Sequence, residues 1–204
     1  MKYEWKKIEK NLYGVKQKPE LIAVPSQNFI MIQGSGNPNE ADFSDRVSAL
    51  YSLAYSIKML FKSIMKNESD DVIKDFSVYP LEGIWEKAEG EVLDKDKLKY
   101  TLMIKQPDFI TQEIFINALE NIQKKKLNAL YDEINFGCIN DGKAIQILHV
   151  GSYDNEPISF EKMNELTKEL GLVRTNCSHR EIYLSNKNKT AEAKLKTILR
   201  YSVR

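Results

Sequence analysis

Shifted forward by 117 residues, the first half of the chain falls partly on the second. Ile30 meets Ile147, Gly34 meets Gly151, Ser35 meets Ser152, Phe43 meets Phe160 and Leu53 meets Leu170. Five identities in a hydrophobic pattern can arise by chance, but the order of elements agrees too. Each half runs strand, Gly-Ser turn, helix, strand, strand. Such a chain has few ways to fold. Two strand–helix–strand–strand units join edge to edge in one antiparallel sheet, with the helices on one face: an α+β architecture. The pseudo-twofold axis leaves a central cleft, between the helices or across the joined sheet, and small ligands favour concave sites of this kind. We expect one domain over residues 1–204, with repeats at about 20–106 and 136–204 and a connecting helix at about 108–130.

The local pattern fills in this frame. Trp5, Ile8, Leu12 and Tyr13 at helical spacing predict one short amphipathic helix over 4–13. Leu21 to Gln33 is rich in β-formers and interrupted by Pro25, and Gly34 to Asn39 is a turn by composition. Phe43, Val47, Leu50, Ala54, Ile57, Phe61 and Met65 then form a helical stripe, for which Asp42 is the expected N-cap. Strands are expected over Phe76–Trp85 and Leu98–Lys105, followed by a helix capped by Thr111 and ending in the lysines 124–126, read as a solvated helix end. The second half predicts strands at 136–139 and 144–150, a helix capped by Ser159 and stopped at Gly171, and strands near 180–185 and 196–203.

Charge and composition exclude several classes of function. Thirty basic residues against 29 acidic ones give a net charge of +1, no general reason to seek nucleic acid or an anionic membrane. The start of the chain lacks the apolar core of a signal peptide, and no apolar run is long enough to span a bilayer. Cys138 and Cys177 are isolated, which suits a reducing compartment, and the cytoplasm is the expected location. No nucleophile-elbow motif is present. Gly34-Ser35-Gly36 lacks the third glycine and the Lys-Ser/Thr pair of a phosphate loop. His149 and His179 are the only histidines, with no acidic pair at ligand spacing nearby, so neither a metal site nor a cofactor is expected.

The candidate site is built from carboxylates and aromatic rings. Alternation on the strand after His179 puts His179, Glu181 and Tyr183 on one face and Ile182 and Leu184 on the other. A carboxylate among apolar neighbours is costly unless paired, protonated or kept for use. Glu181 is therefore either a pocket residue or the partner of Arg180, Lys194 or Arg174. Tyr79, Glu82 and Trp85 form a second cluster. Pro80 and Gly83 argue against a regular strand there, so a bulge is expected to turn Tyr79 or Trp85 to the cleft. These rings either contact the ligand or pack in the core, and Glu82 could equally be a solvated turn residue. Tyr51 and Tyr55, one turn apart on the long helix, either line the groove or are only partly buried. Met103 on the strand after Leu98 is a further candidate lining residue. His149, between apolar neighbours, is either a satisfied core histidine or a pocket residue.

The segments Gly151–Pro157, His179–Ser185 and Lys194–Arg200, with Gly34–Pro38, Pro80–Trp85 and Gln106–Phe109, together resemble the signatures of the GyrI-like family. The likeness runs from about Tyr3 onward and rests on the order and spacing of the motifs. It departs from the common pattern at Ser152, where Pro is frequent, and after Ser185, where Asp-Pro is frequent. The resemblance implies the duplicated fold and a central groove for hydrophobic, aromatic or cationic small molecules. It also implies a pocket glutamate at the position of Glu181. Some stand-alone members of the family hydrolyse cyclopropane-bearing DNA-alkylating compounds, while the same fold serves transcription activators as an effector-binding domain. In a hydrolase, Glu181 and Tyr183 would be the catalytic pair, with Tyr79, Glu82, Trp85, Tyr51, Tyr55, Met103 and His149 around the ligand. In a sensor, the carboxylate would pair with a lipophilic cation. About twenty residues before the first strand are too few for a helix-turn-helix module, so a sensor would need a separate regulatory partner. A DNA-mimicking inhibitor of gyrase would call for an acidic surface, which the near-neutral charge disfavours.

Overall fold

Pro25, which has no N–H to give a ladder, divides the first β-rich run in two. In the computed structural model, which describes residues 1–86 and 95–204, the elements follow in this order. They are β1 (Lys2–Tyr3), α1 (Trp5–Ile8), α2 (Lys10–Tyr13), β2 (Glu20–Val24) and β3 (Gln27–Ser35), then α3 (Ala41–Ile64), β4 (Asp75–Phe76), β5 (Leu81–Glu86) and β6 (Lys99–Gln106). After these come α4 (Gln112–Lys125), β7 (Asn135–Ile139), β8 (Gly142–Val150), α5 (Glu156–Glu169), β9 (His179–Tyr183) and β10 (Lys196–Ser202). Residues 87–94 of the first expected repeat lie outside the described residues.

Eight strands form one antiparallel sheet in the order β2-β8-β10-β9-β5-β6-β3-β7. The order reads alike from both ends. Strands β5, β6 and β3 of the first unit mirror β9, β10 and β8 of the second, and the units join at the β5–β9 pair. Each unit also lends a strand to the other. β2, just before β3, pairs with β8, and β7, just before β8, pairs with β3. This exchange forces the sheet to curl. Six strand spacings separate β2 from β3, about 29 Å in a flat sheet. The chain from Val24 to Gln27 spans at most about 11 Å. Edges that far apart in the sheet meet only if it bends round on itself.

Strand alternation assigns the two faces. Ile30, Ile32, Tyr100, Leu102, Trp85, Glu181, Leu199 and Ile147 share the outer face, where α3 packs over β3 and β6 and α5 over β8. α4 rests on α3 and stacks Phe115 against Phe136 of β7. The inner face carries Glu82, Met103, Arg180, Ile182, Arg200 and Gln146, and α1 and α2 close over it. There Arg180 donates to Glu82 at 2.6 Å, to Asp141 at 2.5 Å and to Gln27 at 3.1 Å. Arg200 donates to Gln146 and to the carbonyl of Leu12 at 3.1 Å. A bond from β9 to β3, with two strands between them in the sheet, requires that face to be the concave one.

Several local expectations are revised. The N-terminal helix breaks at Glu9 into α1 and α2. The carboxylate of Glu9 is drawn inward to Lys105 and to Tyr3 at 2.9 Å. The strand expected over 76–85 is two: β4 pairs in parallel with β1, and β5 starts only after Pro80. Asp42 is not the cap of α3 but lies in its first turn, bonded to Arg46 at 2.8 Å. α5 begins at Glu156, ahead of the expected Ser159, because Pro157 is suited to the first helical turn. Thr111 does cap α4, accepting from the Ile114 amide at 3.3 Å, and Gly171 takes the positive φ of 65° that ends α5.

Candidate functional site

Where β5 meets β9, side chains from both units come together on the outer face, between the ground covered by α3 and by α5. Trp85 on β5 is registered with His179 on β9, and Gly83 with Glu181. The Trp85 indole donates to the Tyr183 hydroxyl at 2.9 Å, and that hydroxyl donates to Glu181 Oε2 at 2.8 Å. His179 Nε2 lies 2.9 Å from the other oxygen, Oε1. Glu181 is thus held at both oxygens while only 8% exposed.

The glycine opposite Glu181 makes this relay fit. A Cβ on Gly83 would stand 2.9 Å from the Trp85 indole nitrogen and 3.3 Å from the Tyr183 hydroxyl. Gly83→Ala is therefore expected to break the Trp85–Tyr183 bond and to shift Trp85 fluorescence, with a stability loss of about 1–3 kcal/mol. An unchanged emission spectrum and unfolding midpoint would show that the relay tolerates the methyl group.

The start of α5 completes the cluster from above. Glu156 is 8% exposed, and its Oε1 makes no hydrogen bond. Burial first, then the charges of Glu181 and Asp154, push its carboxyl up to about 9. Tyr153 sets its ring edge-on to Tyr183, with centroids 6.1 Å apart. Burial, then Glu181 and Glu156, raise its hydroxyl to about 12. Tyr183 is raised well above its usual value, chiefly by burial and next by the Glu181 charge. Phe160 meets the His179 ring edge-on at 4.9 Å. Toward α3, Trp85 stacks on Phe43 at 6.0 Å and leans on Tyr100 at 5.3 Å. Lys187, between β9 and β10, sits 5.9 Å over the Phe43 ring.

Of the residues singled out from the sequence, the structure brings Glu181, Tyr183 and Trp85 together and disperses the rest. Glu82 and Met103 point to the concave face, because β5 and β6 run in unbroken register from Leu81 to Glu86 and the expected bulge does not occur. Glu82 is fully buried on Arg180. Tyr79 stacks on Trp5 at 5.5 Å and donates to Glu9. The Tyr51 hydroxyl accepts from the Leu81 amide at 3.1 Å, anchoring the start of β5. Tyr55 is exposed and lines a surface hollow between α3 and α4 with Met59, Asn121 and Lys125. His149 lies under α5, with Nδ1 at 2.9 Å from the Ser159 hydroxyl and Nε2 at 2.9 Å from the Ser152 carbonyl. Both ring nitrogens are satisfied there, since the carbonyl demands an Nε2–H and the hydroxyl can then donate to Nδ1.

Sequence reasoning missed Glu156 and Tyr153, taking Gly151–Pro157 as a family signature without assigning a pocket residue within it. Glu156 before Pro157 is itself a helix-start signal, which would have placed a carboxylate at the helix end nearest the seam. It also missed an acidic pair around His179. Among the described residues, one atom each of Glu156, His179 and Glu181 all lie within 4.8 Å of one another.

The GyrI-like small molecule binding domain is the family whose model matches this chain, over residues 17–202. A solved hydrolase from Listeria innocua is 35% identical, the alignment covering 99% of this chain and all of that one, with a TM-score of 0.87. An uncharacterized conserved protein from Listeria innocua is likewise 35% identical over 99% of this chain and 100% of that one, with a TM-score of 0.88. The C-terminal domain of EcmrR, 15% identical over 92% of this chain and 97% of its own, shares the fold with a TM-score of 0.54. No curated protein matches the chain. Among the described residues, no helix is long and apolar enough to cross a membrane.

Proposed function

Because this chain belongs to the GyrI-like small-molecule-binding family, we propose that its ligand is a hydrophobic, aromatic molecule received at the β5–β9 seam, and that the protein opens a strained electrophile there by adding water. One observation carries this reading: a nearly buried carboxylate held by Tyr183 and His179, with Trp85 behind it and no lysine or arginine paired to it among the described residues. Two of the roughly four lone-pair sites of Glu181 are engaged, so others are free to accept from water. Water would give a proton to Glu181 as its oxygen bonds to a cyclopropane carbon. The ring C–C bond breaks, and its electron pair runs into a conjugated carbonyl. That oxygen takes up a proton, and Glu181 returns its own to solvent. The Tyr153 hydroxyl, kept protonated by burial, would hydrogen-bond the charge developing on the carbonyl. Trp85 and Tyr183 offer flat faces to the ligand and keep bulk water away. Such a role would protect a cell from DNA-alkylating compounds. The free thiols of Cys138 and Cys177 are compatible with the cytoplasm.

A second reading is non-catalytic binding of a lipophilic cation by a sensor acting through a regulatory partner. It is favoured by the same absence, among the described residues, of a lysine or arginine on Glu156 or Glu181. Incubation with a cyclopropane-bearing alkylator separates the two. Hydrolysis yields a product one water heavier, whereas a sensor quenches Trp85 fluorescence and returns the compound intact. Neither product nor quenching would remove the seam as the binding site.

A further inference from the structure

We propose that Glu156, His179 and Glu181 form a binding site for one divalent transition-metal ion of the zinc class. Their ligand atoms lie within 4.8 Å of one another, and His179 Nε2 stands 2.9 Å from Glu181 Oε1. Ligands about 2.0–2.2 Å from one tetrahedral ion stand roughly 3.3–3.6 Å from each other. An ion between these atoms therefore needs His179 and Glu181 to part slightly and Glu156 to swing inward. Glu156 has the freedom to do so, since its buried Oε1 has no hydrogen-bond partner. An oxygen desolvated without a partner is expensive, and a cation would supply what is missing.

The surroundings suit a metal as well. Tyr183 donates to Glu181 Oε2, which fixes the carboxylate plane and leaves Oε1 for the ion. Phe160 holds the His179 ring edge-on, limiting its rotation. Once Glu156 gives up its proton to the incoming ion, two carboxylates balance a dication, and among the described residues no lysine or arginine competes for them. The imidazole nitrogen selects zinc, cobalt or nickel over magnesium and calcium, which prefer all-oxygen shells. Three protein ligands leave the fourth position to water, the arrangement of an open rather than a structural site.

Calorimetric titration of the chelator-treated full chain with Zn2+, without any organic ligand, tests this. One ion is expected per chain. Glu156→Gln and His179→Ala are each expected to weaken binding by more than about 100-fold, beyond what loss of a mere outer-shell partner costs. A Cys138→Ser, Cys177→Ser double variant should bind as the parent does. Co2+ should develop the visible absorption of a four-coordinate site, and His179→Ala should erase it. Thermal melts without metal check that the variants fold, and Glu181→Gln serves if Glu156→Gln does not. Absent binding, or binding that survives the Glu156 and His179 changes or disappears with the cysteines, overturns the proposal. Because no organic ligand is present, such a failure leaves the small-molecule reading untouched.

Discussion

Glu181→Gln is expected to lower kcat for ring opening by about 10²–10⁴-fold while changing ligand affinity by less than about threefold. Glutamine has the shape of the glutamate it replaces. Its amide oxygen can still accept from the Tyr183 hydroxyl, and its NH2 can donate to His179 Nε2, so the relay from Trp85 keeps its geometry. What the amide cannot do is take a proton from water. Loss confined to kcat, with KM steady, would mark Glu181 as acting in the transition state and not in holding the ligand. Single-turnover kinetics with the cyclopropane probe, beside Trp85 fluorescence titration, reads both quantities. Turnover equal to the parent's would remove Glu181 from the chemistry. A matching loss of affinity would instead favour the sensor reading, in which the charge itself binds the ligand.

Glu82→Ala is expected to destabilise the fold by about 3–5 kcal/mol, although Glu82 is a carboxylate only one residue from the seam on its own strand. The difference lies in what faces it. Glu82 is fully buried on the concave side of the sheet, where it accepts from Arg180 and from Tyr13 at 3.4 Å. Truncation leaves the buried Arg180 with Asp141 and Gln27 and takes away one of its two carboxylate partners. A domain of this size loses about 2–4 °C of melting temperature per kcal/mol, so a fall of roughly 10 °C is anticipated. Ligand affinity, referred to the folded fraction, should hardly change. A shift under about 2 °C would mean that Asp141 alone suffices for Arg180, and a specific loss of affinity would reopen Glu82 as a ligand contact.

These two glutamates show what can be read from a chain before it folds. Alternation along His179–Tyr183 placed Glu181 and Tyr183 on one side, and the structure agrees. The same rule along β5 separates Glu82 from Trp85. The expectation of a bulge near Pro80 and Gly83 set that rule aside, while the strand begins after the proline and accommodates the glycine in register. Gly83 serves a different purpose, giving room to the Trp85 indole and the Tyr183 hydroxyl. The tyrosines of α3 were legible as a ridge but not by destination. Tyr51 turns to the Leu81 amide and Tyr55 to the hollow beside α4, which only the packing of α4 decides.

The repeat, the α+β class and the order of elements were written in the sequence, because hydrophobic period, turn residues and caps act over a few neighbours. The reciprocal exchange of β2 and β7 was not, since pairing partners far apart along the chain leave no local mark. That exchange bends the sheet. The bend decides which face buries an arginine network and which meets the helices. It is then the docking of α5 on the outer face that lowers Glu156 beside His179 and Glu181. Side-chain direction is a local property of the backbone, whereas the company a side chain keeps is set by contacts that form only when the whole chain has closed.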